Sequence, residues 1–173
     1  MVIFPLLTYA TGGWMMGWAS APYDPRWALQ FPRRSAIMAL AGPAVNLSLV
    51  ILAAFALRAG MEWHAWTEAF YTAPSHLVEA TPGTLVAWLA KLLSMIFSLN
   101  LLLGIFNLLP LPSLDGSSLP LLFLPAATAQ RYLTLLWSPG ARFAGLFLAW
   151  QGFRYIFEPI QRLAVQALFI GAS

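Results

Sequence analysis

Two stretches constrain this chain more than anything else in it. Residues 36–57 run for 22 residues without a charge, and residues 84–109 run for 26 with one, Lys91. About 20 consecutive apolar residues cross the hydrocarbon core of a bilayer as a helix. In lipid the backbone must satisfy its own hydrogen bonds, which a helix does within one segment. Both stretches are therefore predicted to span. Arg58 and Gly60 end the first, and Lys91 is close enough to the start of the second for its stem to carry the ammonium to the interface.

The composition agrees. The chain is 60% hydrophobic and 9% charged, with a mean hydropathy of +0.74, against roughly 25% charged residues in soluble domains. Its 173 residues suit one membrane domain, 1–173, of a few spans. The net charge of +3 comes from nine basic residues spread along the chain, so no patch points to nucleic acid. Eight Trp and five Tyr suit the aromatic belts at membrane interfaces. The absence of Cys excludes disulfides and thiolate metal sites.

The remaining segments are broken. Residues 1–19 are apolar but contain Pro5 and Gly12-Gly13, which suits a re-entrant segment better than a clean span. They lack the basic region and cleavage site of a signal peptide, so the start reads as a cut from a longer membrane protein or a start assigned too late. Residues 20–35 and 61–82 are predicted polar loops. Residues 119–137, with Pro120, Pro125, Gln130 and Arg131, and residues 143–157, with Gln151 and Arg154, make weak spans; 160–173 reads as an interfacial tail helix. The expected fold is all-α and integral to the membrane, multi-pass, with three to four transmembrane helices and a re-entrant N-terminal segment. Basic residues favour the cytoplasmic side. With the 20–35 loop placed there, Arg26, Arg33, Arg34, Arg154 and Arg162 fall inside, and Arg58, Arg131 and Arg142 outside.

Chemistry concentrates at the end of the second stretch, in Asn107-Leu-Leu-Pro110-Leu-Pro112-Ser-Leu-Asp115-Gly116. Neither proline can continue a helix, so the helix is predicted to end near Asn107, whose amide is placed to bond the freed carbonyls. Asp115 then lies on irregular backbone at or below the interface. Two readings stand: an N-cap of the next helix made by Asp115, Ser117 or Ser118, or a metal- or proton-handling acid, since a carboxylate at bilayer depth is costly without a role. Ser35, Ala39, Gly42 and Asn46 recur along one helix face, as do Asn100, Gly104 and Asn107. Small residues with an occasional amide are the usual glue of helix pairs in lipid, and pairing these faces brings Asn46 and Asn107 to one buried place. His64 and His76 lie in the loop at the opposite end of the second stretch, roughly 39 Å away along a 26-residue helix, and read as interfacial.

Three segments, in order, resemble one family. Ala41-Gly42-Pro43-Ala44-Val45-Asn46 is similar to its A-G-P-x-x-N helix motif, and the run from Asn107 to Gly116 to its N-L-x-P-x-P-x-L-D-G motif. Gly17-Trp18-Ala19 with Pro22 and Pro25 resembles the loop before the first. The family is the site-2 proteases, intramembrane zinc metalloproteases, and the chain corresponds to its C-terminal part. The resemblance implies zinc, with Asp115 as third ligand, Asn107 in the surroundings of the site, and Asn46, Gly42, Pro43, Pro110, Pro112 and Gly116 supporting it. It also implies that two His and a Glu arrive on an upstream H-E-x-x-H helix, where the metal would lower the pKa of its water to about 7 and polarise the scissile carbonyl. This chain contains no H-E-x-x-H, carries Ser117 for the usual Gly after L-D-G and has Ser113 for the usual Pro. The zinc site is thus incomplete here. The expectations are a site-2-protease-like membrane protein, catalytic in a longer form and acting on a transmembrane protein, or a non-catalytic accessory or scaffold subunit of a larger membrane complex. A transporter subunit using Asp115 and Lys91 is the weakest, because those charges sit towards opposite ends of one span.

Overall fold

The computed structural model describes residues 24–170. Asp24 opens the first element: its Oδ1 accepts from the Arg26 N–H at 2.9 Å, and Pro25 follows at the first helical position, giving helix α1, Pro25–Gln30. Pro at that position loses no helical bond, because its missing N–H would be unpaired there anyway. The same device restarts the chain at Pro32, and α2 runs Pro32–Glu62. The expected polar loop over 20–35 is therefore helical from Pro25 onward. The re-entrant segment predicted for 1–19 lies outside the described residues.

α2 has 31 residues and passes Pro43 without ending. Thr84 caps α3, Leu85–Leu108, through a 3.1 Å bond from the Ala87 N–H to its Oγ1. These two helices are long and apolar enough to cross a membrane. They pack antiparallel as the principal helix pair. Gly104 sits at the crossing, where an added Cβ would lie 3.2 Å from Leu47 Cδ2 and 3.5 Å from Asn46 Cβ, so the small-residue faces of the two helices do meet.

Between them the predicted loop 61–82 is instead an antiparallel hairpin, β1 Thr67–Ala73 with β2 His76–Glu79. Thr67 faces Glu79 and Ala73 faces His76, with an irregular register between. Burial drives this departure from an all-α fold. Trp66, Leu77 and Val78 join the core that Val50, Leu57, Ala90 and Phe97 form between the helices. The Trp66 indole donates to the Leu57 carbonyl at 2.8 Å, and the Leu77 N–H donates to Ser94 Oγ at 3.2 Å.

The C-terminal third also departs from expectation. After a 3-10 helix, Asp115–Leu122, comes α4, Ala126–Leu136, of 11 residues. At 1.5 Å per residue that is roughly 16 Å, too short to cross. α5 is one helix, Pro139–Phe169, running through Pro159, rather than a weak span followed by a separate tail. It begins beside the loop that precedes Asp115, where Gly145 packs on Pro112, and ends at Arg58 of α2 (guanidinium to Ile170 carbonyl, 2.8 Å). Arg131 and Arg142 consequently lie at the same end as Arg33 and Arg34, not opposite them: neighbouring Gln130 donates to the Leu29 carbonyl, and Arg142 shares a cleft with Ser35.

Candidate functional site

α3 stops at Leu108 because Pro110 and Pro112 follow. The chain then turns on short backbone bonds, Leu111 N–H to Leu109 carbonyl at 2.8 Å and Leu114 N–H to Leu111 carbonyl at 3.1 Å. Two glycines fix this turn. A Cβ on Gly116 would lie 2.1 Å from the Leu108 carbonyl oxygen, and one on Gly145 2.2 Å from that of Pro112. Ser113 has φ 79, a left-handed conformation, and its Oγ donates to the Arg142 carbonyl at 3.2 Å. The Asp115 loop is thereby pressed against the end of α3 on one side and α5 on the other.

Asp115 is not a cap. The 3-10 helix it opens has Leu114 at the capping position and no side-chain cap bond, and Ser117 Oγ donates instead to the Leu114 carbonyl at 2.7 Å. Among the described residues the Asp115 carboxylate makes no hydrogen bond or ion pair. It faces α2 at Gly42, where an added Cβ would stand 3.5 Å from Oδ2, and Gly42 itself is exposed. Partial burial pushes the Asp115 carboxyl above its ordinary value. The carboxylate opens into a cleft of about 590 Å³ whose lining includes Ser35, Met38, Ser118, Trp137 and Arg142.

The other predicted residues fall around this point. Pro43 is buried one residue from Gly42, and Asn46 lies one turn further along α2, half-buried against Gly104. Asn107 is half-buried in the last turn of α3 and does not bond the freed carbonyls; the Leu109 N–H takes that of Phe106 at 3.2 Å instead. Ser35 and Ala39, read from the sequence as part of the small-residue face of α2, line this cleft; Trp137 and Arg142 were not singled out as site residues. Nothing local marks these two, because they reach the cleft only where the end of α4 and the start of α5 fold back beside the loop.

His64 follows Gly42 by 22 residues along α2 and just beyond, roughly 33 Å at helical rise. It is not brought to Asp115, nor is His76, which lies on β2 at the same end. Among the described residues no three His, Cys, Asp or Glu side chains converge, and the rest of the sequence contains none of these residue types. Asp115 has the donor chemistry for zinc, but catalytic zinc takes three protein ligands. These residues alone do not make that site.

Two helices fit to cross a membrane, with a bare carboxylate at a broken helix end beside them, suit an integral membrane protein. The chain belongs to peptidase family M50, whose model matches residues 3–148. This is the site-2 protease family, and its members are zinc metalloproteases. No curated protein and no solved structure matches the chain.

Proposed function

We propose that this chain is the part of an intramembrane zinc metallopeptidase that presents the third metal ligand, Asp115, the H-E-x-x-H helix being supplied by polypeptide outside these 173 residues. The observation that carries this reading is the unpartnered Asp115 carboxylate opposite exposed Gly42, at the mouth of a cleft of about 590 Å³. A carboxylate with no cap to make and no cation beside it is in the state a metal ligand needs. Asn46, Gly42, Pro43, Asn107, Pro110, Pro112 and Gly116 then act as scaffold: they set the helix crossing, break α3 and bring the loop to α2. The substrate class is a transmembrane protein segment, admitted at the open side of Gly42. Arg26, Arg33, Arg34, Arg131 and Arg142 gather at the Asp115 end, which supports a cytoplasmic placement of that end.

Co-expression with a transmembrane segment carrying H-E-x-x-H tests this. One zinc per complex and cleavage of a transmembrane reporter are expected, both lost in Asp115→Ala. A complex that assembles but retains no zinc would overturn the reading. A second reading, a non-catalytic subunit, is supported by the apolar outer face of α5, where Phe143 is 76% and Trp150 84% exposed. Its signature is a stable co-purifying membrane partner and no zinc with or without the added segment.

A further inference from the structure

A second cleft lies on the same end of the molecule, away from Asp115. It is about 360 Å³, between the end of α1, the start of α2 and the hinge before α4. Gln30, Arg33 and Arg34 give it a polar wall, and Phe31, Leu124 and Ala126 an apolar one. The Arg34 guanidinium stands 5.1 Å over the Phe31 ring, a cation–π contact that still leaves N–H donors for a ligand. Neither Arg33 nor Arg34 pairs with a carboxylate among the described residues. Asp24, the nearest acid in sequence, accepts from the Arg26 N–H. Two arginines therefore line one cleft at the first turn of a helix long and apolar enough to span a membrane.

We propose that this cleft binds the phosphate of an anionic phospholipid, with Arg33 and Arg34 holding the phosphodiester and Phe31 and Leu124 covering the glycerol and the first acyl carbons. Planar guanidinium matches phosphate oxygens in bidentate fashion, and basic pockets at the cytoplasmic end of membrane helices suit anionic headgroups. The mixed wall commits the site to lipid: a free phosphate would use the arginines and leave the apolar side idle. The site does not depend on the metallopeptidase reading.

The test uses the full 173-residue chain in neutral detergent, with native mass spectrometry of added dioctanoyl phosphatidylglycerol, dioctanoyl phosphatidylcholine or inorganic phosphate. Phosphatidylglycerol is expected to bind as a single retained adduct, with phosphatidylcholine and phosphate far weaker. Each arginine contributes about fivefold near an anionic surface, so Arg33→Ala with Arg34→Ala lowers phosphatidylglycerol affinity about thirtyfold. Arg33→Lys with Arg34→Lys, which keeps charge but not the fork, gives an intermediate loss and guards against misfolding. Arg154→Ala, on the outside of α5, changes nothing. Equal binding of the two lipids, phosphate binding as tight as phosphatidylglycerol, or a double alanine variant that binds as the parent would each overturn the proposal.

Discussion

Asp115 and the residues that hold it make separable demands. Its carboxylate has no bond to lose, so Asp115→Asn is expected to leave unfolding within about 0.5 kcal/mol of the parent, while abolishing zinc retention in the proposed peptidase complex. Denaturant unfolding and metal analysis on one preparation check both halves. Gly116 behaves in the opposite way. A methyl there lies 2.1 Å from the Leu108 carbonyl oxygen, so Gly116→Ala should cost about 1–3 kcal/mol through displaced backbone. Gly42→Ala meets Asp115 Oδ2 at an ordinary 3.5 Å and should fold normally while crowding the face of the carboxylate proposed to take the metal. Ser113 shows why one departure from the family pattern matters: proline fixes φ near −65°, whereas Ser113 has φ 79. Ser113→Pro should therefore destabilise by ~2 kcal/mol or more instead of repairing the motif, as the thermal midpoint would show.

At the scale of elements, what the sequence disclosed followed from local chemistry. The uncharged run 36–57 and the Pro110–Pro112 break carried enough signal to place α2, α3 and the end of α3. The hairpin escaped because Thr67–Ala73 mixes charge, polar and aromatic residues, and its stability comes from Trp66 and Leu77 packing on helices distant in sequence. α5 was divided because Arg154 and Glu158 interrupt its apolar run. In the structure they pair across one turn at 2.5 Å, with Arg162 second at 3.7 Å, so the charges mark an exposed face and not an end. The Arg154 hydrogen bond and charge hold the Glu158 carboxyl below its ordinary 4.5. A depressed carboxylate contributes stability above its unfolded value, lost as pH falls through the folded one. Acidifying from about pH 6 to about pH 3 should thus slightly lower the helicity of α5, and Arg154→Ala should remove that part of the slope. Circular dichroism of the two proteins measures the difference.

Across the whole molecule, the candidate site was readable as a list but not as an arrangement. Gly42 and Asp115 were both marked by motif, yet their contact depends on the α2–α3 crossing at Gly104, and the cleft's far wall depends on α5 returning to Pro112. That return is secured at the opposite end by Arg58, whose guanidinium reaches the carbonyls of Ala167, Leu168 and Ile170 at 3.4, 3.4 and 2.8 Å. A cation on the unpaired carbonyls of a helix end complements its dipole. Arg58→Met keeps the apolar stem and should release the last turns of α5, at about 1.5–3 kcal/mol, seen as faster amide exchange there with α2 unchanged.

The glycine contacts at Gly116 and Gly145 carry a consequence for how a metal would be captured. They clamp the Asp115 loop against two helices, so in the proposed centre this side would be a fixed jaw. All the travel needed to close on zinc would then belong to the proposed segment that brings the remaining ligands. Under that proposal metal affinity and docking of the segment would be one quantity, with zinc the latch between two pieces of protein: a chelator would separate the pieces before it unfolded either one.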